Sequence, residues 1–178
     1  MKKYLLKNGE QLTIREAVKE DAKNLIEYVK QVGTESDFLS FGKGEFNISL
    51  ADEEKMLEAH LATDNAIYLV AEINGKLVGS LNFSGGKRPR TKHFGEFGVS
   101  VIKSHWNLGI GEKLISYMIE WAKESGVIRK INLKVRADHQ HGIHLYEKMG
   151  FKQEGIISRF FYLHERFYDV IEMGLEID

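Results

Sequence analysis

The pattern of apolar residues predicts an α+β fold, with a mixed, mostly antiparallel central sheet flanked by helices, over residues 1–178 as a single domain. Three observations carry this expectation. Ala22, Leu25, Ile26 and Val29 recur at helical spacing, as do Leu114, Ile115, Met118 and Ala122. Asn74-Gly75 separates two apolar runs, the strongest short-range hairpin signal. Strands and helices alternate only in the second half, so the sheet is not doubly wound.

Each element follows from its own residues. Leu12-Thr13-Ile14-Arg15 alternates and forms a short first strand, and the Ala22–Val29 stripe makes a helix of about three turns. Thr34 to Asn47 reads as irregular. Ser49 followed by Asp52 is a capping signal for a second helix through Met56, Leu57 and Leu61. Ile67 to Ile73 and Lys76 to Phe83 flank Asn74-Gly75, because a type I′ turn needs positive φ at both central residues. Ser84 to Arg90, with the only proline at Pro89, reads as a loop. Phe94 to Ile102 is the third strand of this meander, with Phe97, Val99 and Val101 on one face. A helix from Gly109 to Ser125 stops at Gly126, and Ile131, Leu133 and Val135 alternate as a strand. Asp138 begins a helix carrying Ile143, Tyr146 and Met149, closed by Gly150. The tail reads as two strands, Phe151 to Leu163 and Arg166 to Ile177.

Composition narrows the function classes. Apolar residues make up 43% and charged residues 29%, enough for a real core. Lys plus Arg number 25 against 26 Asp plus Glu, which argues against a nucleic-acid binder built on a basic face. There is no cysteine, hence no thiol nucleophile and no thiolate metal site. No apolar run approaches the ~18 residues of a membrane span, and Met1-Lys2-Lys3 leads into no signal-peptide core. A cytoplasmic protein without membrane contact is the expectation.

The chemistry concentrates in Val99-Ser100-Val101-Ile102-Lys103-Ser104-His105-Trp106-Asn107-Leu108-Gly109-Ile110-Gly111. A strand enters a short loop with two glycines that opens into an amphipathic helix. The first amides of such a helix have no intrahelical acceptor, and the macrodipole adds about half a positive charge there. Bare glycines let a phosphate approach those amides. The competing reading is that the glycines serve close packing alone. A Rossmann fingerprint needs three glycines in the first βα turn, and a P-loop needs Gly-Lys-Ser/Thr, whereas Gly111 precedes Glu112. Both nucleotide motifs are excluded.

In Trp106-Asn107-Leu108-Gly109-Ile110-Gly111 the chain resembles the Arg/Gln-x-x-Gly-x-Gly/Ala motif of the GNAT superfamily of N-acetyltransferases. Val135-Arg136-Ala137 and Leu145-Tyr146-Glu147-Lys148-Met149-Gly150-Phe151 resemble its second segment. Ile14-Arg15-Glu16-Ala17 is similar to its first strand, and Glu154-Gly155 with Asp169 and Met173 looks like its ribosomal-protein and spermidine branches. The resemblance implies a GNAT-like sheet and acetyl-CoA as cosubstrate, with no metal. Val99, Ser100, Val101, Asn107, Leu108, Gly109, Ile110, Gly111, Glu112 and His139 would bind it. His139 stands where the family has an Asn for the pantetheine arm. Trp106 stands where the family has Arg or Gln, a cationic or amide side chain near the phosphates, so Trp106→Arg is expected to tighten binding by about 1 kcal/mol.

The implied reaction is direct attack by an amine on the thioester. A base must take the ammonium proton, a backbone N–H must receive the oxyanion, and an acid must protonate the departing thiolate. Tyr146 matches the family's acid. Glu96 is the candidate base, Glu72 a weaker one, and Lys134 occupies the position of another family Glu. His139, His141 and His144 are rejected as a metal site for want of companions. Phe160, Phe161, Tyr162 and Phe167 read as sheet core rather than a stacking surface. The acceptor is expected to be the primary amine of a small molecule, polyamine- or amino-acid-like, with Thr34 to Asn47 and the C-terminal hairpin selecting it. Glu35, Asp37 and Glu45 read equally as acids that attract a cationic amine and as an ordinary solvated loop. The alternatives are a protein N-terminal acetyltransferase and a silent acyl-CoA-binding module. Closing hairpins of this kind also support homodimers in the family.

Overall fold

The computed structural model describes residues 1–178 throughout. The strands are β1 (Lys2–Leu5), β2 (Gln11–Glu16), β3 (Ala66–Ile73), β4 (Lys76–Gly85), β5 (Phe94–Val101), β6 (Lys130–Arg136), β7 (Lys152–Leu163) and β8 (Arg166–Glu176). The helices are α1 (Ala22–Glu35), α2 (Leu50–Leu61), α3 (Ile110–Ser125) and α4 (Gln140–Lys148). One eight-stranded sheet runs in the order β1-β2-β3-β4-β5-β6-β8-β7. Every neighbouring pair is antiparallel except β5 and β6.

Local chemistry accounts for the elements. Asn74 and Gly75 both take positive φ (50° and 75°), as the type I′ hairpin requires. The Ser49 hydroxyl accepts the Asp52 amide at 3.1 Å and caps α2. Gly126, at φ 66°, ends α3. Period-2 alternation then assigns the faces. His60 of α2 reaches Ser84 of β4 at 3.3 Å, so Ser80, Asn82 and Ser84 face α1 and α2. Gly79 faces the other way, with Ile110 and Leu114 of α3 only 3.2 Å from where a Cβ would stand. The buried cluster of Leu57, Phe83, Leu114, Ile115 and Met118 fills both layers.

Four expectations need correction. β1 precedes the first expected strand, hidden in the sequence because two of its four residues are lysines; it is an edge strand pairing Lys2 with Ile14. Thr34 and Glu35 belong to α1 rather than to the irregular segment. Ser84 and Gly85 extend β4, where the Gly85 amide bonds the Asn65 carbonyl at 2.8 Å. His139, not Asp138, is the residue before α4, because Arg136 holds the Asp138 carboxylate at 3.0 and 2.6 Å.

Candidate active site

The sheet splits where β5 meets β6. These two strands pair only at Phe94–Lys130, Gly95–Ile131 and Glu96–Asn132, then diverge. Beyond that point β5 still pairs with β4 through Val101. The Ile102 amide bonds the Val78 carbonyl on the β4 side at 3.0 Å, and the Gly86 amide bonds the Phe94 carbonyl at 3.0 Å. Alternation along the strand therefore turns the backbone groups of Phe97, Val99 and Val101 toward the open notch. Ser100 turns its backbone to β4, and the Tyr28 hydroxyl holds its carbonyl at 2.8 Å and its hydroxyl at 2.9 Å. At the apex, the buried Asn132 Oδ1 has no partner within the chain.

The start of α3 borders the same strand end. Gly109 has φ 76°, a left-handed conformation that side chains resist, and Asn107 has φ 63°. The first amide to find a helical acceptor is that of Lys113, on the Gly109 carbonyl at 3.2 Å; those of Ile110, Gly111 and Glu112 bond nothing in the chain. A Cβ built on Gly109 or Gly111 meets no atom within 4 Å, whereas one on Gly86 would lie 2.4 Å from the Thr91 carbonyl oxygen. Packing explains the glycine at 86 but not the one at 111, which leaves an amide-lined cradle open to a ligand. The Glu112 carboxylate is drawn aside to Lys148 at 2.9 Å. Trp106 has a structural duty: its indole N–H donates to the Val101 carbonyl at 2.7 Å and ties the loop to β5. The Lys103 ammonium lies 6.0 Å above that indole, a nearby cation that sequence reasoning overlooked.

The candidate proton-transfer groups fall on opposite faces of β5. Tyr146 packs edge-on against Phe97 and Phe151, with centroids 6.1 Å from each, on the α3–α4 face. Burial pushes its phenol up to about 12. Glu96 lies on the α1–α2 face, where its carboxylate pairs with Lys134 across the notch apex. Glu72 is remote from both and is held by Arg15 at 2.6 Å. His139 stacks on Phe38 with centroids 4.0 Å apart and packs against Gly142. Burial, reinforced by His141, keeps it below the ordinary histidine value. No group of three or more His, Asp or Glu side chains converges to hold a metal.

The acids expected to attract an acceptor are each engaged. Glu35 accepts the Lys103 amide at 2.6 Å, Asp37 meets His164 at 3.2 Å, and Glu45 accepts the Gly42 amide at 2.7 Å. Sequence reasoning also missed the role of Arg136. It is 6% exposed, stacks 3.8 Å from the Tyr168 ring and 4.8 Å from that of Phe38, and donates to the Asp37 carbonyl at 2.8 Å. This guanidinium fastens the α1–α2 segment to β6 and β8. Phe160, Tyr162 and Phe167 are exposed on the β7–β8 hairpin at the edge of the sheet, so they are not sheet core.

Comparison with known proteins agrees with this geometry. A family model described as the acetyltransferase (GNAT) family matches residues 23–151. The crystal structure of a GNAT-family acetyltransferase from Streptococcus pneumoniae is similar over 94% of this chain and 99% of that one, with 37% identity and a TM-score of 0.91. An L-amino acid N-acetyltransferase of Escherichia coli is 32% identical over 60% of this chain and 65% of its own length. An N-alpha-acetyltransferase of Sulfurisphaera tokodaii is 29% identical over 57% and 66%. The chain thus spans just under two thirds of each of these two relatives.

Proposed function

Because the chain belongs to the acetyltransferase (GNAT) family, we propose that it transfers an acetyl group from acetyl-CoA to the primary amine of a small molecule, polyamine- or amino-acid-like. One observation carries the reading: a divergent strand edge stands beside a helix start whose free amides surround space no packing explains. The residues fit the cosubstrate. Amides from Leu108 to Glu112 would take the diphosphate, with Asn107 at the loop's left-handed corner, and the Val99 and Val101 edge would line the pantetheine arm. Bound there, acetyl-CoA supplies an activated acetyl thioester.

The chain's own groups would then manage the protons. Tyr146, protonated at neutral pH, is the acid on one side of the notch. Glu96 is the proton acceptor we assign on the other, engaged by Lys134 at rest. An N–H on the β5 edge is available to a developing oxyanion. His139 contributes by packing on Phe38, which shapes the wall, rather than through a hydrogen bond.

The amino acid acceptor named for the Escherichia coli relative supports a small-molecule substrate, and the α-amine named for the Sulfurisphaera tokodaii relative is consistent with the second reading, a protein N-terminus. Thiol release from acetyl-CoA, screened against amino acids, diamines and N-terminal peptides, decides between them. Release with small amines but not peptides is expected. Acetyl-CoA binding without release for any acceptor would leave only a silent acyl-CoA-binding module.

A further inference from the structure

Lys134 places a primary amine of the chain itself at the notch. Leu133 and Val135 are buried in the core, so alternation along β6 turns Asn132, Lys134 and Arg136 to the opposite face, the one that carries Glu96. Glu96 and Asn132 form the last rung between β5 and β6, and Lys134 is the next residue of β6 on that face beyond it. Its ammonium pairs with the Glu96 carboxylate across the gap, and the carboxylate of Glu172, directly opposite on β8, lies 3.9 Å away. The Lys134 side chain is 25% exposed, so the amine is reachable from outside.

This is the end of the notch toward which the acyl group would be carried. With the diphosphate on the start of α3, the pantetheine arm enters beside Val101 and runs back along β5 toward the apex. The strand from Val101 to Glu96 is about 17 Å long, a span that an extended arm covers. The neighbouring lysines are placed differently. Lys103 lies over the Trp106 indole, Lys130 pairs with Glu154 at 2.8 Å in the closed part of the seam, and Lys148 holds Glu112 on α3. Asn132 adds a further group at the apex: its buried Oδ1 has no partner and can accept an N–H from an amine beside Glu96.

Resting on the acetyl-transfer reading, we propose that Lys134 is a self-acetylation site: the chain transfers an acetyl group from acetyl-CoA to its own Nζ. The amine is held beside the base that would activate it, which makes the transfer a unimolecular step within the complex. The ammonium gives up two protons. The Glu96 carboxylate takes the first and passes it to water, and the freed lone pair forms the N–C bond to the thioester carbonyl carbon. The C–S bond breaks with its electron pair on sulfur, and Tyr146 protonates the departing thiolate across the notch. The second proton of the nitrogen replaces the one that Tyr146 has given. One acetyl-CoA and one lysine ammonium thus yield acetyl-lysine, the CoA thiol and one proton. The neutral amide no longer pairs with Glu96 or Glu172, so modification releases the base from its resting partner.

The test incubates the full chain with acetyl-CoA and no acceptor, and follows acetylation of each lysine by peptide mass spectrometry. Lys134 should gain one acetyl group ahead of Lys103 and Lys130, at a rate per chain that does not change with protein concentration. E96Q and Y146F should each slow that gain by about 10²–10⁴-fold while leaving the slow acetylation of exposed lysines unchanged. K134R keeps a cation for Glu96 and should show no rapid acetylation. An unmodified Lys134, a rate no faster than that of exposed lysines, or indifference to both E96Q and Y146F overturns the assignment. A rate per chain that rises with concentration means transfer between chains and overturns it too. Thiol release with added amines, on the same preparation, separates this inference from the reading beneath it. Turnover of an added amine with Lys134 unmodified rejects self-acetylation and leaves the acetyl-transfer reading standing. Acetylated Lys134 without turnover of any added amine supports self-acetylation and rejects an external acceptor, and the absence of both rejects both.

Discussion

Two residues on opposite sides of the sheet carry different costs. Tyr146 is wedged between Phe97 and Phe151, and its hydroxyl bonds nothing in the chain. Tyr146→Phe keeps that packing and removes only the proton, so turnover should fall about 10²–10⁴-fold with acetyl-CoA affinity unchanged. Wild-type turnover in that variant, measured where chemistry limits the rate, would reduce Tyr146 to a packing residue. Glu53 makes the opposite kind of demand, on stability. Burial raises its carboxyl above the usual range. Its favourable contribution is therefore complete below the unfolded carboxylate value of about 4.3 and lost as pH rises through the raised one. Above that raised value the folded state carries an unsatisfied buried charge, so Glu53→Gln should stabilise increasingly as pH rises, by up to about 1–3 kcal/mol or several degrees in Tm. Melting curves should show that gain growing with pH and disappearing near pH 4. A gain independent of pH would mean that charge is not the cause.

At the scale of elements, the start of α3 separates stability from binding. Gly111 has an ordinary helical conformation, and its Cβ direction is empty. Gly111→Ala should therefore stabilise the helix by about 0.5–1 kcal/mol while weakening acetyl-CoA, because the methyl enters the cradle. Opposite shifts in Tm and Kd are the expected signature, and unchanged affinity would place the diphosphate elsewhere. Gly109 cannot serve this test, since φ 76° makes any side chain there strained. The loop before the helix revises an expectation. Trp106→Arg was expected to tighten binding by restoring a cation, but it also removes the indole bond to Val101. We expect a net loss of about 1 kcal/mol of stability, with Trp106→Phe losing as much.

These cases show what the sequence made legible. The Gly109–Gly111 loop, the Asn74-Gly75 turn and the strand–helix order are local signals, written within a few residues of where they act. Glu53, Arg136 and the Trp106–Val101 bond depend on partners distant in sequence or on orientation. Asp138 looked like a cap because its neighbour's claim is only visible when Arg136 lies between Phe38 and Tyr168. The lysines of β1 masked a strand that only pairing with β2 makes evident.

At the scale of the whole molecule, the sheet is two parts joined at a narrow seam. β1 to β5 carry α1, α2 and α3, while β6 to β8 carry α4, and β5 and β6 share only three register pairs. Side-chain ties cross the same divide: Lys134 to Glu96, Lys148 to Glu112, and Arg136 to the Asp37 carbonyl. A ligand lying in the notch, with its diphosphate on α3 and its arm along β5, would replace missing strand pairing between the parts. It should therefore stabilise the native state as a unit. At one hundred times its Kd, acetyl-CoA should add about 2.7 kcal/mol, which for a chain of this size is about 5–10 °C in Tm. The location of the effect distinguishes this bridge from generic binding. Hydrogen exchange should slow at the amides of Val99 and Val101 and at those of Ile110 to Glu112, which bond nothing across the notch in the free chain. Protection should also appear in β6, because closing the seam suppresses the opening of both parts. Slowing confined to α3, with β5 and β6 unchanged, would place the ligand on the helix start alone and leave the notch without a role in binding.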